Sequence, residues 1–151
     1  MQRKTIFNEI LPMFNDIIIG QQQGKVMLTH KVAYPISRML NRGLEEQKSF
    51  ALTQEELIKA YCELDEKGNA NTIEVPVLGQ PPRMELKFKS TFDKEEYLRI
   101  STERLEESVK FDINKIPLKE LERCSNFPVL ALAKLEELGL ISDTKEIRLV
   151  N

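Results

Sequence analysis

A long amphipathic pattern between residues 30 and 64 limits how this chain can fold. Apolar side chains recur there at steps of three and four residues, with charged side chains between them. This spacing places them on one stripe of a helix, which is how a surface helix faces a core. We therefore predict a helix over 30–64. Its apolar stripe comprises Val32, Ile36, Met39, Leu40, Leu44, Phe50, Ala51, Leu57, Ile58 and Tyr61.

The continuity of this helix depends on two positions. Pro35 falls about one turn after the predicted start, where a proline destabilises a helix least. Thr53 and Glu56 match a capping box, which would end one helix near Ser49–Thr53 and begin another. Because the apolar stripe keeps its phase across that point, we favour one long, bent helix. The stop signal is Lys67-Gly68-Asn69.

An earlier apolar stripe predicts a helix over 5–19, which Pro12 kinks or delays because proline has no N–H to donate.

After Thr72 the apolar side chains recur at every second residue, which is the spacing of a β-strand. Two alternating runs joined by Gly79–Pro82 predict a β-hairpin over Thr72–Lys89, with one apolar face that lies on a helix. Its first strand should be an edge strand, since Pro76 cannot donate a hydrogen bond.

The remaining elements are shorter. A capping box at Asp93–Glu96, with Phe92 and Tyr97 as a hydrophobic staple, predicts a helix to about Ser108. Strands are expected over 109–113 and 146–150. Pro117 and Pro128 each begin a short helix, and Gly139 is the expected left-handed residue that lets Leu140 fold back on Leu135. The inner face predicted for the helix after Pro128 comprises Val129, Leu132, Ala133, Leu135 and Leu138.

These elements predict an α+β fold, in which a long-helix hairpin or small helical bundle packs on a small antiparallel sheet. The 151 residues favour a single domain, with a helical part over 1–68 and the hairpin, helices and short strands over 69–151. Cys62 and Cys124 are expected to be buried free thiols. The N-terminus lacks a signal-peptide core and no apolar run spans a membrane, so we expect a cytoplasmic protein.

We find no catalytic or ligand-binding motif. His30 is the single histidine, and the acidic segment over 63–69 lacks the ligand spacing of a calcium loop. We therefore expect no enzyme activity, no cofactor and no metal. Residues 117–150 superficially resemble a winged helix-turn-helix, but the helix in the recognition position carries Lys134 beside two glutamates, which would repel phosphates. A packed helical pair is the favoured interpretation of that segment.

Lys31, Arg38 and Arg42 fall on one face of the long helix at steps of seven and four. Residues 1–44 carry a net charge of about +4 and the rest about −6, within a total of −2. Such a face can meet phosphates, although no aromatic residue is interleaved in a way that suggests base stacking. A solvated basic face is the favoured interpretation.

The segments KVAYPISRML, LIKAYCELDEKGN and VKFDINKIPLKELE are arranged in the order found in a family of small proteins. Over about residues 25–140 the chain resembles this uncharacterised family of bacteriophage and prophage proteins. The family has no assigned active-site residues that could be carried over. The resemblance implies a phage origin and a binding role, as a virion component, an assembly factor or a host-directed inhibitor.

The function expected is therefore non-enzymatic protein–protein interaction, with a host or phage protein or another copy of the chain as partner. One candidate contact is the hairpin edge, which can accept a partner's strand; the other is the basic helix face. The alternative is a nucleic-acid-binding accessory protein that uses the same basic face, which a steep salt dependence would reveal. The candidate residues are Lys31, Arg38, Arg42, Glu74, Pro76 and Gln80.

Overall fold

The computed structural model describes residues 1–111 and 115–142, and it has the mixed helix and sheet of the predicted α+β class. The helices are α1 (Arg3–Thr5), α2 (Leu11–Gln22), α3 (His30–Tyr61), α4 (Thr91–Glu106), α5 (Leu118–Glu122) and α6 (Val129–Glu137), with a π-helical turn at Ile6–Ile10. The strands are β1 (Thr72–Val75), β2 (Arg83–Leu86), β3 (Ile116–Pro117) and β4 (Ile141–Ser142).

The chain divides into two compact units. Of the described residues, unit 1 comprises 1–46, 108–111 and 115–142, and unit 2 comprises 47–107. Helix α3 contributes its first half to unit 1 and its second half to unit 2. The single domain stays a prediction.

The long helix is continuous from His30 to Tyr61, which confirms the favoured interpretation of the apolar stripe. The capping box predicted at Thr53 does not form, because the Thr53 hydroxyl donates to the Phe50 carbonyl at 2.8 Å within the helix. The helix ends three residues before the predicted end at 64. In the turn that follows, Gly68 has a φ of +81°.

Pro12 affects the N-terminal helix in an unexpected way. Helical structure begins at Arg3, and a π-helical turn over Ile6–Ile10 leads directly into α2, where Pro12 occupies the first turn. Proline cannot donate to the carbonyl four residues earlier, and its ring would strike that carbonyl. A local π turn changes the hydrogen-bond step from four residues to five and so accommodates the ring.

The core of unit 1 joins the N-terminal helices to α3, α5 and α6. Helix α3 comes close to the N-terminal helices at Gly43, where a Cβ atom would lie 2.5 Å from Leu11 Cδ2. The sequence did not indicate the parallel pairing of β3 with β4, in which Ile116 lies opposite Ile141. Core side chains of this unit include Ile6, Ile10, Leu11, Phe14, Ile17, Val32, Ile36, Met39, Phe111, Ile116, Leu121, Cys124, Ala131, Leu135 and Leu140.

The hairpin of unit 2 forms, but the prediction of one apolar face is wrong. In the β1–β2 register Ile73 lies opposite Glu85, and Glu74 lies opposite Met84. Residues directly opposite each other share a face of the sheet. Ile73 and Met84 therefore project from opposite faces, and both are exposed.

Helix α4 begins earlier than predicted. Its N-cap is Ser90, whose hydroxyl accepts from the Asp93 backbone N–H at 3.1 Å and donates to Asp93 Oδ2 at 2.7 Å. The predicted capping box at Asp93–Glu96 is therefore wrong, because the N-cap lies three residues earlier than Asp93. The hydrophobic staple is wrong too, because Phe92 is exposed and Tyr97 packs on Phe88, with ring centroids 5.2 Å apart.

The C-terminal predictions have mixed outcomes. At the end of α6 the Leu140 N–H donates to the Leu135 carbonyl at 2.9 Å, and Gly139 has a φ of +71°, which confirms the Schellman motif. Val129 and Ala133 are exposed, so their assignment to the inner face is wrong. Residues 109–111 form no strand, whereas residue 113 and the strand predicted over 146–150 lie outside the described residues.

Both cysteines are buried and free, as predicted, with Cys62 in unit 2 and Cys124 in unit 1. Burial raises the pKa of the Cys62 thiol. Within the described part of the chain, no helix combines the length and apolarity needed to cross a membrane.

Candidate functional site

An open apolar groove lies between α2 and α6 in unit 1. Its volume is about 390 Å³, a size within the range of small ligand sites. Met13 and Ile17 of α2 form one side, and Leu130 and Ala131 of α6 form the other. Pro128 closes the end next to the N-terminus of α6. These five side chains are apolar, so they can pack against a ligand but cannot form hydrogen bonds with it.

Pro128 is the N-cap of α6, with extended backbone angles, and it sets the direction in which the helix starts. The buried stripe of α6 runs through Ala131 and Leu135. Val129 and Leu130 lie outside that stripe in the first turn, with 78% and 86% of their surface exposed. Two adjacent large apolar side chains thus project into solvent beside the groove.

The charged groups at the groove are mostly acidic. Lys134 Nζ lies 2.5 Å from Glu9 Oε1 and 3.5 Å from Glu137 Oε2, so its charge is already neutralised. The hydrogen bond that Lys134 donates to Glu9 raises the pKa of Lys134, and the nearby Glu137 adds to the effect. Asp16 also lines the groove and is exposed, with no ion pair among the described residues. Three carboxylates thus accompany one ammonium group.

The three basic residues predicted from sequence all lie on the first half of α3, but in different environments. Arg42 is held in place: its guanidinium pairs with Glu46 at 3.3 Å and donates to the Lys110 carbonyl at 2.9 Å. Lys31 is exposed and lies 3.9 Å from Glu120. Only Lys31 and Arg38 therefore present their charge outward.

Glu46 also forms an ion pair with a second arginine, Arg3 of α1. Arg3 Nε donates to Glu46 Oε1 at 2.9 Å. The hydrogen bond from Arg3 holds the pKa of Glu46 below its ordinary value, burial opposes this shift, and the hydrogen bond from Arg42 reinforces it. The carboxylate thereby links α1 to α3.

Arg38 lies against the aromatic ring of Tyr34. Its guanidinium carbon is 5.8 Å from the centroid of the Tyr34 ring, which is a cation–π distance. The His30 ring stacks on Tyr34 from the preceding turn, at 6.3 Å between centroids. Sequence reasoning missed Tyr34, although its position between Lys31 and Arg38 at helical spacing was a sufficient signal.

The other three predicted residues belong to the hairpin of unit 2. Glu74 lies in β1, Pro76 follows the end of that strand, and Gln80 closes the loop by donating its N–H to the Val77 carbonyl at 3.2 Å. All three are exposed. Leu78, at the tip of the same loop, is fully exposed. Their role in binding stays a prediction.

Sequence reasoning also missed the groove. The run VLALA over 129–133 contains more apolar residues than one helix face can bury. That excess was a signal that some of these side chains face outward, but the pattern alone did not show which ones. The structure assigns the outward positions to Val129 and Leu130.

In the acidic segment over 63–69, the Asp65 carboxylate stabilises a turn. Asp65 Oδ1 accepts from the backbone N–H groups of Lys67 and Asn69, both at 2.9 Å. Across residues 1–111 and 115–142, no group of three or more histidine, cysteine or carboxylate side chains is placed to hold a metal ion.

The fold and the groove define a mixed helix-and-sheet protein with an open apolar groove on unit 1. Comparison with protein-family models, with curated proteins and with solved structures finds no match to this chain.

Proposed function

We propose that this protein works by binding another protein, without catalysis, through the groove between α2 and α6. The observation that carries the proposal is the pair Val129 and Leu130, which stand largely exposed beside an apolar groove. Single exposed apolar residues are ordinary on a protein surface, whereas a contiguous apolar surface marks an interaction site. Burying a leucine side chain is worth about 1.5–3 kcal/mol, so a partner that covers Leu130 gains a large part of a specific affinity.

The partner we propose is an amphipathic helix of a host or phage protein. Helices dock in apolar grooves through side chains spaced three, four and seven residues apart. The carboxylate of Asp16 has no ion pair among the described residues, and the charge of Lys134 is neutralised by Glu9. The complementary helix therefore carries a basic side chain beside its apolar stripe, where it meets Asp16.

The hairpin is a less favourable place for such a contact. Ile73 and Met84 project from opposite faces of the β-ribbon, so they do not form one apolar surface. The main-chain edge of β1 stays a candidate for strand addition, and a partner that Leu130→Asp retains in the experiment below would favour the hairpin over the groove. The phage setting, with action in the host cytoplasm or the virion as component, assembly factor or inhibitor, rests on the sequence resemblance alone.

The test is affinity capture from a host lysate treated with nuclease, using the wild-type chain, Leu130→Asp and Leu78→Asp. Both substitutions are at exposed positions, so circular dichroism should show the fold intact. We expect one stoichiometric partner that the wild type and Leu78→Asp retain and Leu130→Asp loses. With the purified partner, Leu130→Ala should weaken binding by about 2 kcal/mol, for the apolar surface that it removes.

Other outcomes would assign the contact differently. A partner that is lost by Leu78→Asp and kept by Leu130→Asp would place the contact at the hairpin. Capture of a second copy alone, with a monomeric Leu130→Asp variant, would identify a self-assembling subunit. Recovery of no protein by the wild-type chain would contradict the proposal.

A further inference from the structure

The first half of α3 and the segment before it have an unusual charge distribution. Residues 17–44 contain four basic side chains and no acidic one, within a chain whose net charge is −2. Lys31 occupies the first turn of α3, which contains no acidic residue. The N-terminus of a helix favours acidic side chains and disfavours cations. The stability of the helix therefore does not explain this placement.

Three exposed side chains form a row along this part of α3. His30, Tyr34 and Arg38 lie on successive turns, with the histidine ring stacked on the tyrosine ring and the guanidinium over its face. Lys31 lies beside the row. We call these four residues the α3 ladder. Tyr34 keeps 57% of its surface exposed, so an incoming base can reach the ring and replace the His30 ring that stacks on it.

The spacing of the two cations suits a chain of phosphates. Lys31 and Arg38 are seven residues apart, or about 10.5 Å along the helix axis, with the Tyr34 ring between them. Glu120 lies 3.9 Å from Lys31, but it is also paired with Arg123 at 3.4 Å. The surroundings of Lys31 thus keep a net positive charge. Arg42 is not included, because its guanidinium is held by Glu46 and by the Lys110 carbonyl and so is not available to a ligand.

We propose that the α3 ladder binds single-stranded nucleic acid, with a base stacked on Tyr34 and phosphates at Lys31 and Arg38. Aromatic side chains beside cations are the usual means by which proteins hold single strands, because every base has a face that can stack. A duplex keeps its bases stacked internally and would leave Tyr34 unused. The ladder shares no residue with the groove, so this binding is independent of the proposed protein partner.

The test is fluorescence anisotropy with a labelled oligodeoxythymidine, titrated with the full chain at several salt concentrations. Two phosphate contacts predict a slope of log affinity against log salt of about −1.4. A fourfold rise in salt should then weaken binding about sevenfold. Arg38→Gln should halve the slope to about −0.7. Tyr34→Ala should weaken binding about fivefold and leave the slope unchanged, because stacking releases no counterions.

The matched control is Lys48→Gln, which removes an exposed cation from the same helix outside the ladder. It should change neither the affinity nor the slope. Absence of binding at the lowest salt would overturn the proposal, as would equal effects of Arg38→Gln and Lys48→Gln. Tighter binding of a duplex of the same length, insensitive to Tyr34→Ala, would show a nonspecific charge effect instead. Leu130→Asp should leave oligonucleotide binding unchanged, whatever its effect on protein capture.

Discussion

Replacing Gly43 with alanine makes two opposing contributions to the free energy of unfolding. Gly43 lies inside α3, where alanine is favoured over glycine by about 1 kcal/mol. The new Cβ atom would lie 2.5 Å from Leu11 Cδ2, roughly 1 Å closer than the separation at which carbon atoms attract. Overpacking of a core costs about 1–3 kcal/mol. We therefore expect Gly43→Ala to destabilise the protein by about 0–2 kcal/mol.

Leu11→Ala separates the two contributions, because it removes the methyl group that the new Cβ would strike. Leu11 is buried, so this substitution alone should cost about 2–5 kcal/mol. In that background Gly43→Ala keeps the helix contribution and meets only Ile6 Cγ2, at 3.3 Å, so it should stabilise by up to about 1 kcal/mol. The coupling energy between the two substitutions should therefore be about 1–3 kcal/mol.

Urea denaturation followed by far-UV circular dichroism measures the four free energies, and equal m-values would show that the unfolding reaction is the same in each variant. Independent sites add within about 0.5 kcal/mol. Additivity within that limit would refute the close approach of α3 to Leu11 at Gly43.

Three further substitutions test local features. Gly139→Ala should cost about 1–2 kcal/mol, seen as a lower Tm, because its φ of +71° disfavours any residue with a Cβ. Ser90→Ala should cost about 1 kcal/mol in urea denaturation by removing the N-cap of α4. The lowered pKa of Glu46 adds stability above its ordinary value of 4.5, which is lost as the pH falls through the lowered value. Glu46→Gln should therefore destabilise the protein at neutral pH and lose less stability than the wild type on acidification.

Patterns that act within one helix were predictable from the sequence. The apolar stripe of α3 kept its phase through Thr53, and a single helix from His30 to Tyr61 satisfies it. Gly139 followed by Leu140 marks a helix end, because the left-handed turn and the backbone bond to Leu135 depend on neighbouring residues only. In both cases the interactions that decide the structure lie within a few residues.

Features that depend on pairing between segments were not predictable. A period of two shows which side chains of one strand share a face, but it does not fix the register with the next strand. The observed register, with Ile73 opposite Glu85, puts the apolar residues of β1 and those of β2 on opposite faces of the hairpin. The candidate site was even less predictable from the sequence than the strand register, because the exposure of Leu130 depends on how α6 packs on α2. The predicted Arg42 illustrates the same limit, because its partner carbonyl at Lys110 is distant in sequence.

The two leucines Leu130 and Leu135 of α6 provide a matched comparison of binding and folding roles. Leu135 is fully buried and Leu130 is 86% exposed. Leu135→Ala should cost about 2–5 kcal/mol in urea denaturation, whereas Leu130→Ala should change the free energy of unfolding by less than about 0.5 kcal/mol. A loss of more than about 1 kcal/mol at Leu130 would mean that its side chain supports the fold, and the binding proposal would lose its main observation. If Leu130 contributes nothing to folding, its apolar surface is available to a partner at no cost to the fold.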